Sequence, residues 1–180
     1  MAKGQGEGSV KIGYDDILAF GNYSQAEGKG TRTDGYCSHA EGLNSTAKGS
    51  CSHAEGFYAV AENTSSHAEG TNTHAKGESS HVEGQETLAL GNYSHAEGYV
   101  TQVTGQGSHA QGYYNYDNIS FIDMVGVGSN SSNNTNASVI YVGRISNGEI
   151  NQKDPKNGYQ YLINIGGYQG QAIEEGMKSV

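Results

Sequence analysis

Ser38-His39-Ala40-Glu41-Gly42 decides the fold of this chain, because this five-residue stretch recurs at a fixed spacing. Identical or closely similar copies begin at residues 24, 52, 66, 80, 94 and 108. The residue after each serine is therefore repeated every 14 positions, from Gln25 to His109. A strict period of this kind indicates a repeat architecture built from stacked units.

Each 14-residue unit divides into two halves of seven residues, whose positions we number as places one to seven, starting at Ile17. The fifth place is glycine in every half from Gly21 to Gly112, with the single exception of Asn63. Because asparagine is the non-glycine residue that best tolerates positive φ, we expect a left-handed backbone at this place. The structural turn residues predicted in this way are Gly42, Gly56, Asn63, Gly70, Gly84, Gly98 and Gly112.

The seven places predict a five-residue strand followed by a two-residue corner. Alternation along a strand puts places one, three and five on one face and places two and four on the other. Places one and three are mostly Ser, Thr and Ala, which are small enough for the narrow interior of a two-sided coil. The prediction is an all-β fold, a parallel β-solenoid or β-roll of seven coils with two short strands per 14-residue coil. A helix is excluded because no apolar stripe has a period near 3.6.

The predicted domain organisation has four segments. Residues 1–9 are expected to be a flexible lead-in, 10–114 the β-roll, 115–170 a C-terminal β-rich cap and 171–180 a tail. The cap is expected to cover the last strand of the solenoid, which otherwise presents an unpaired edge. The small interior residues bury little apolar surface for each ordered coil, so we also expect the chain to oligomerise.

Two parts of the repeat resemble known fibrous proteins. The 14-residue head repeat of trimeric autotransporter adhesins is similar to Thr87-Leu88-Ala89-Leu90-Gly91 followed by residues 94–98. The Ser-His-Ala-Glu-Gly form resembles repeats of phage and prophage fibre proteins. Residues 121–128 and 165–170 also resemble short segments common in such fibres. The resemblance implies a left-handed parallel β-roll that associates as a homotrimer.

The resemblance favours a structural protein of a phage virion, assembled in the host cytoplasm. Its implied partners are two further copies of the chain, other virion proteins and a glycan or protein of the host surface. A fragment of a bacterial cell-surface trimeric adhesin is the alternative, and an enzyme on a solenoid scaffold is a third hypothesis. Met1-Ala2-Lys3 begins no signal-peptide pattern and the sequence has no long apolar run, which favours the virion component. A net charge of −9 argues against nucleic-acid and anionic-membrane partners, and no membrane insertion is expected.

One outward surface, here called the histidine–glutamate face, consists of places two and four in the half that begins with serine. Its members are His39, His53, His67, His81, His95, His109, Glu41, Glu55, Glu69, Glu83 and Glu97. The equivalent places of the other half vary freely, whereas these barely change. We expect the face to line subunit contacts; a plain solvated face and a metal site are the alternatives. No metal, cofactor or catalytic residue is predicted, because ligands spread along a line do not converge on a point.

Two further expectations concern titratable groups. Glutamates stacked about 4.8 Å apart repel one another, so we expect neighbouring histidines to take up protons, with folded-state pKa values above about 6.5. Cys37 and Cys51 occupy the same place in successive coils, and we expect them to be free thiols.

Overall fold

The computed structural model describes residues 2–13, 16–117, 122–127, 138–145 and 160–164. It confirms the predicted all-β solenoid: parallel coils stack for about seven turns, and the described residues contain no helix. Accordingly, nothing in this part of the chain forms a helix that could cross a membrane.

Two sheets form opposite sides of the solenoid. The first contains, in spatial order, β1 (Ala2–Lys3), β2 (Val10–Gly13), β4 (Gln25–Gly28), β6 (His39–Leu43), β8 (His53–Phe57), β10 (His67–Thr71), β12 (His81–Gln85), β14 (His95–Tyr99), β16 (His109–Tyr113), β18 (Ile122–Val127), β19 (Ser138–Ile145) and β20 (Gln160–Asn164). The second contains the shorter strands β3 (Leu18–Ala19), β5 (Arg32–Thr33), β7 (Thr46–Ala47), β9 (Val60–Ala61), β11 (His74–Ala75), β13 (Leu88–Ala89), β15 (Gln102–Val103) and β17 (Tyr116–Asp117). Pairing is parallel from β2 to β18 and throughout the second sheet.

The interior of the coils is made of the small residues that the sequence predicts. Third-place side chains such as Ala40, Ala54 and Val82 are completely buried, and first-place serines and threonines are no more than 2% exposed. The first-place serine also closes the corner before it: the Ser38 hydroxyl donates to the Gly35 carbonyl at 2.8 Å. The same bond recurs at Ser24, Ser52, Ser66, Ser80 and Ser94, whereas the Ser45 hydroxyl donates to the Gly56 carbonyl. The buried hydroxyl thus finds an acceptor in the Gly35 carbonyl, which also accepts from the Ser38 amide at 3.3 Å.

Left-handed backbone occurs at the seventh place of every half, which the sequence analysis did not predict. All fourteen residues at this place from Tyr23 to Tyr114 have φ between 52° and 66°. Twelve of them are not glycine, and one is the β-branched Val100. The sharp corner between strands therefore imposes positive φ at the seventh place, whatever side chain the residue carries.

The prediction for the fifth place is correct in one half and wrong in the other. Gly42, Gly56, Gly70, Gly84, Gly98 and Gly112 have φ between 97° and 120°. Asn63 has no positive φ, and neither does Gly35, which occupies the fifth place in the same half of an earlier coil. There glycine is needed for space: a Cβ on Gly35 would lie 1.9 Å from the carbonyl oxygen of Gly49 in the next coil. Close stacking of backbones, rather than a turn, excludes most side chains at this place.

The first coil differs from the expected register. Ile12 pairs with Glu27 instead of the interior Ala26, one residue away from the 14-residue period. Residues 2–9 do not form the predicted flexible lead-in, since β1 pairs antiparallel with β2 and the Gln5 and Gly6 amides donate to the Ala19 carbonyl. The N-terminal residues therefore add a strand to the edge of the solenoid.

At the other end, β18 continues the parallel stack and covers the edge of β16. It is followed by the antiparallel strands β19 and β20. A strand next to the last repeat coil removes the bare parallel edge that invites association. The predicted tail at 171–180 and the fibre-like segment at 165–170 lie outside the described residues.

Candidate functional site

The histidine–glutamate face is built by the in-register stacking of the first sheet. His39 pairs with His53 and Glu41 with Glu55, and the same register recurs between later coils. Alternation directs the alanine, or Val82, between each histidine and glutamate into the interior, so both polar side chains point outward. The face therefore follows from the repeat itself, and the structure brings together the residues predicted for it.

The six histidines form one continuous stack of imidazole rings. Neighbouring ring centroids from His39 to His109 are 4.6–4.9 Å apart, and the ring planes differ by only 5–20°. The side chains remain about one-third exposed, for example 35% at His67. Each ring thus covers the faces of its neighbours while one edge stays open to solvent.

Histidine and glutamate of the same coil approach each other without forming a hydrogen bond. The distance from Nε2 to Oε2 is 3.5 Å for His53 and Glu55 and 3.8 Å for His67 and Glu69. Hydrogen bonds between nitrogen and oxygen are about 2.7–3.2 Å long. Nε2 is inaccessible to solvent and without a hydrogen-bond partner at His39, His53, His67, His81 and His95. These buried ring nitrogens are the least satisfied polar groups of the face.

The predicted rise in histidine pKa is wrong for two members of the stack. Burial lowers the pKa of His67 and of His95, and the neighbouring imidazoles lower it further. Glutamates act in the opposite direction but are weaker than burial. A proton on one ring would face the rings above and below it, so stacking favours the neutral imidazole.

Stacking also shifts the pKa values of three glutamates in the face. Burial and hydrogen bonding with Glu83 raise the pKa of Glu69, and hydrogen bonding with Glu83 raises the pKa of Glu97. The pKa of Glu83 itself is lowered because hydrogen bonds from Glu97 stabilise its carboxylate. The pKa values of neighbouring glutamates in this row are thus displaced in opposite directions, as expected for coupled carboxyl groups.

Glutamine replaces the repeated residues at the two ends of the face. In the first coil the Gln25 side chain occupies the histidine place and donates to Glu27 at 2.9 Å. In the last coil Gln111 occupies the glutamate place and donates to Glu97. Neither replacement interrupts the strand pairing, so a neutral amide fits both places.

The opposite face of the solenoid has ordinary exposed ion pairs. Arg32 contacts Asp34 at 2.8 Å, and Glu62 contacts both Lys48 at 2.9 Å and His74 at 3.0 Å. Hydrogen bonding from Lys48 lowers the pKa of Glu62. These pairs involve different residue types in each coil, which is typical of a solvated surface.

Aromatic side chains along the corners were not singled out from the sequence. Phe57, Tyr58 and Tyr113 are 40–48% exposed. Tyr99 and Tyr113 stack with centroids 5.0 Å apart, and Tyr114 packs against both in edge-to-face contacts. Their signal in the sequence is the recurrence of large residues at places six and seven. Cys37 and Cys51, also at place seven, are exposed free thiols, as expected.

The sequence-based argument against convergence of metal ligands is wrong for neighbouring coils. Four groups of three side chains bring one ligand atom each to within 4.8 Å of one another. The groups are His53/Glu55/His67, His67/Glu69/His81, His81/Glu83/His95 and Glu27/His39/Glu41. In the first three groups, the ligand atoms of two histidines from successive coils and of the glutamate of the earlier coil therefore lie close together.

No protein-family model matches the chain, and no match is found among curated protein sequences. Function therefore has to be inferred from the residues and their geometry.

Proposed function

We propose that this protein is a non-enzymatic structural subunit of a phage virion, a homotrimeric fibre, spike or capsid-decorating module. The observation on which the proposal depends is the histidine–glutamate face, repeated in register over six coils with five ring nitrogens that have no hydrogen-bond partner. A surface repeated with so little variation suits contact with identical neighbours. The remaining partners in this proposal are other virion proteins and a glycan or protein of the host surface.

The stacked coils also suit a structural role. Solenoid repeats contact only their immediate neighbours, so they form stiff, elongated bodies whose length is set by the repeat number. The described interior is filled by small side chains, so a single chain buries little apolar surface in its own core. Association of chains would bury surface that a single solenoid leaves in water.

Oligomeric state tests the first part of the proposal. Light scattering coupled to size exclusion should give about three times the chain mass of 19.0 kDa. His81→Lys on the histidine–glutamate face should dissociate the trimer, because it places three ammonium groups in the contact. His74→Lys is a matched control at the same place on the opposite face, where Glu62 can pair with the new charge. A folded monomer, or equal effects of the two variants, would contradict the proposed interface.

The location of the protein tests the second part of the proposal, that it is a component of a phage virion. An antibody raised against the chain should label intact phage particles purified from cultures that express the protein. Labelling confined to the bacterial envelope would instead support the cell-surface adhesin.

A further inference from the structure

We propose that the histidine–glutamate face binds zinc, with each ion held between successive coils by two histidine Nε2 atoms and one glutamate carboxylate. Zinc accepts nitrogen and oxygen ligands of this type, and a set of three protein ligands leaves a fourth position for water. Every group of three lies within a single chain, so this inference does not depend on the proposed trimer.

The distances within one coil already match those between zinc ligands. Bonds of about 2.0–2.2 Å in a tetrahedral site put neighbouring ligand atoms roughly 3.4 Å apart. His53 Nε2 lies 3.5 Å from Glu55 Oε2, and His67 Nε2 lies 3.8 Å from Glu69 Oε2. Histidine atoms of successive coils lie within 4.8 Å and have to approach by about 1 Å more. Because the planes of successive rings differ by only 5–13°, the two rings also have to tilt toward each other so that both Nε2 lone pairs point at the ion. The proposal requires this side-chain rotation when zinc binds.

The unpartnered ring nitrogens supply a second, independent reason. Nε2 of His53, His67, His81 and His95 is inaccessible to solvent and accepts or donates no hydrogen bond. Coordination would satisfy each of these atoms. The lowered pKa of His67 and His95 acts in the same direction, because only the neutral imidazole binds a metal ion.

The overlap of the groups fixes the expected number of ions. His67 and His81 each belong to two groups, so the middle group His67/Glu69/His81 cannot be filled together with either neighbour. The outer groups His53/Glu55/His67 and His81/Glu83/His95 share no residue and can be filled at once. The separate group Glu27/His39/Glu41, with a single nitrogen ligand, adds a weaker site. At saturation we expect three zinc ions per chain.

Two double variants with the same composition distinguish these sites from nonspecific binding. His67→Gln/His81→Gln destroys all three two-histidine groups, whereas His53→Gln/His95→Gln leaves the middle group intact. Gln25 shows that glutamine is accepted at the histidine place. After saturation with zinc chloride and removal of free ion, metal analysis should give three ions per wild-type chain. The His53/His95 variant should retain two and the His67/His81 variant one.

The NMR signals of the histidine C–H groups in the wild-type chain provide a second test that does not depend on the variants. Addition of zinc should shift the signals of the stacked histidines and leave His74, which lies on the opposite face, unchanged. Calcium, which requires six or more oxygen ligands, should have no such effect. Equal loss of zinc in the two double variants, fewer than one ion per wild-type chain, or an equal shift at His74 would overturn the proposal.

Discussion

Val100 lies at a left-handed corner, and its backbone conformation sets how much a substitution there should change the free energy of unfolding. Val100 has φ 52° and is partly buried. An L-residue in this region costs roughly 1–2 kcal/mol, and a β-branched side chain is especially unfavourable there. Asparagine adopts this conformation more easily, and it already occupies the same place on the same edge at Asn72, with φ 53°. Val100→Asn should therefore raise the free energy of unfolding by about 1 kcal/mol, after allowance for some lost apolar contact.

The reverse change provides the control. Asn72→Val should lower the free energy of unfolding by about 1–2 kcal/mol, because it introduces the same conflict between side chain and backbone. The two residues are two coils apart, about 10 Å, so their effects should add. The exchanged variant, Asn72→Val/Val100→Asn, has the composition of the wild type and should lie within about 1 kcal/mol of it.

Thermal unfolding followed by circular dichroism measures all three variants. For a chain of this length, 1 kcal/mol corresponds to a change in Tm of about 2–4 °C. The backbone bonds at these corners, from the Asn72 amide to the Phe57 carbonyl at 2.8 Å and from the Val100 amide to the Gln85 carbonyl at 2.9 Å, are available in every variant. A lower Tm for Val100→Asn, or an unchanged Tm for Asn72→Val, would show that the corner imposes no conformational cost.

Two other predictions follow from the backbone and from the histidine stack. Gly70→Val should lower the free energy of unfolding by at least about 2 kcal/mol, since Gly70 has φ 101° and a Cβ there would lie 2.1 Å from the Gly84 carbonyl oxygen. Asn63→Gly should change it by less than about 1 kcal/mol, and comparable losses in denaturant titrations of both variants would contradict this reasoning. His67 and His95 should titrate by NMR with midpoints below 6.5. The folded state then binds fewer protons than the unfolded state, so the free energy of unfolding keeps its full value above about pH 6.5 and decreases as pH falls through the folded pKa of these histidines. Midpoints above 6.5 would refute this prediction.

The fold could be predicted because the interior of the solenoid restricts residue type directly. From Ala19 to Ala110 every third-place residue is buried, whether alanine, Thr33, Val82 or Val103. A narrow coil admits only small side chains, and alternation then fixes which residues point outward. The period was therefore sufficient for two strands per coil, the register between coils and the composition of the histidine–glutamate face. It was not sufficient for strand bounds: first-sheet strands β6 to β16 have the predicted five residues but begin at place two instead of place one, and the second-sheet strands have only two residues.

The seventh-place corner could not be predicted, because its requirement is conformational and leaves little trace in residue type. The left-handed residues include Cys51, Glu86 and Val100, which share no chemical property. The fifth-place glycines predicted positive φ wrongly in one half of each coil, where the lack of a side chain allows close stacking of the backbones. A glycine pattern does not distinguish a need for positive φ from a need for space.

Ile12 shows a second limit of periodicity. Extrapolating the 14-residue spacing backward places Ile12 in the interior, whereas pairing with Glu27 puts it at an outward place. A single additional residue in a coil shifts every side chain of the strand to the opposite face. The repeat predicts register only where its spacing is kept.

The histidine–glutamate face is not explained by the fold of one chain. Gln25 and Gln111 occupy its two places at either end without interrupting the sheet, so the solenoid does not require histidine or glutamate there. The repeated pair instead leaves ring nitrogens without hydrogen bonds and lowers the pKa of two histidines. Such costs are offset when a further group binds the face, either another copy of the chain or a cation. His67→Gln/His81→Gln separates the two explanations. It removes the two-histidine zinc sites but retains neutral side chains that can hydrogen-bond across an interface. A trimer that persists without these ions would be held by contacts between chains, whereas joint loss of the ions and the trimer would make zinc part of the assembly.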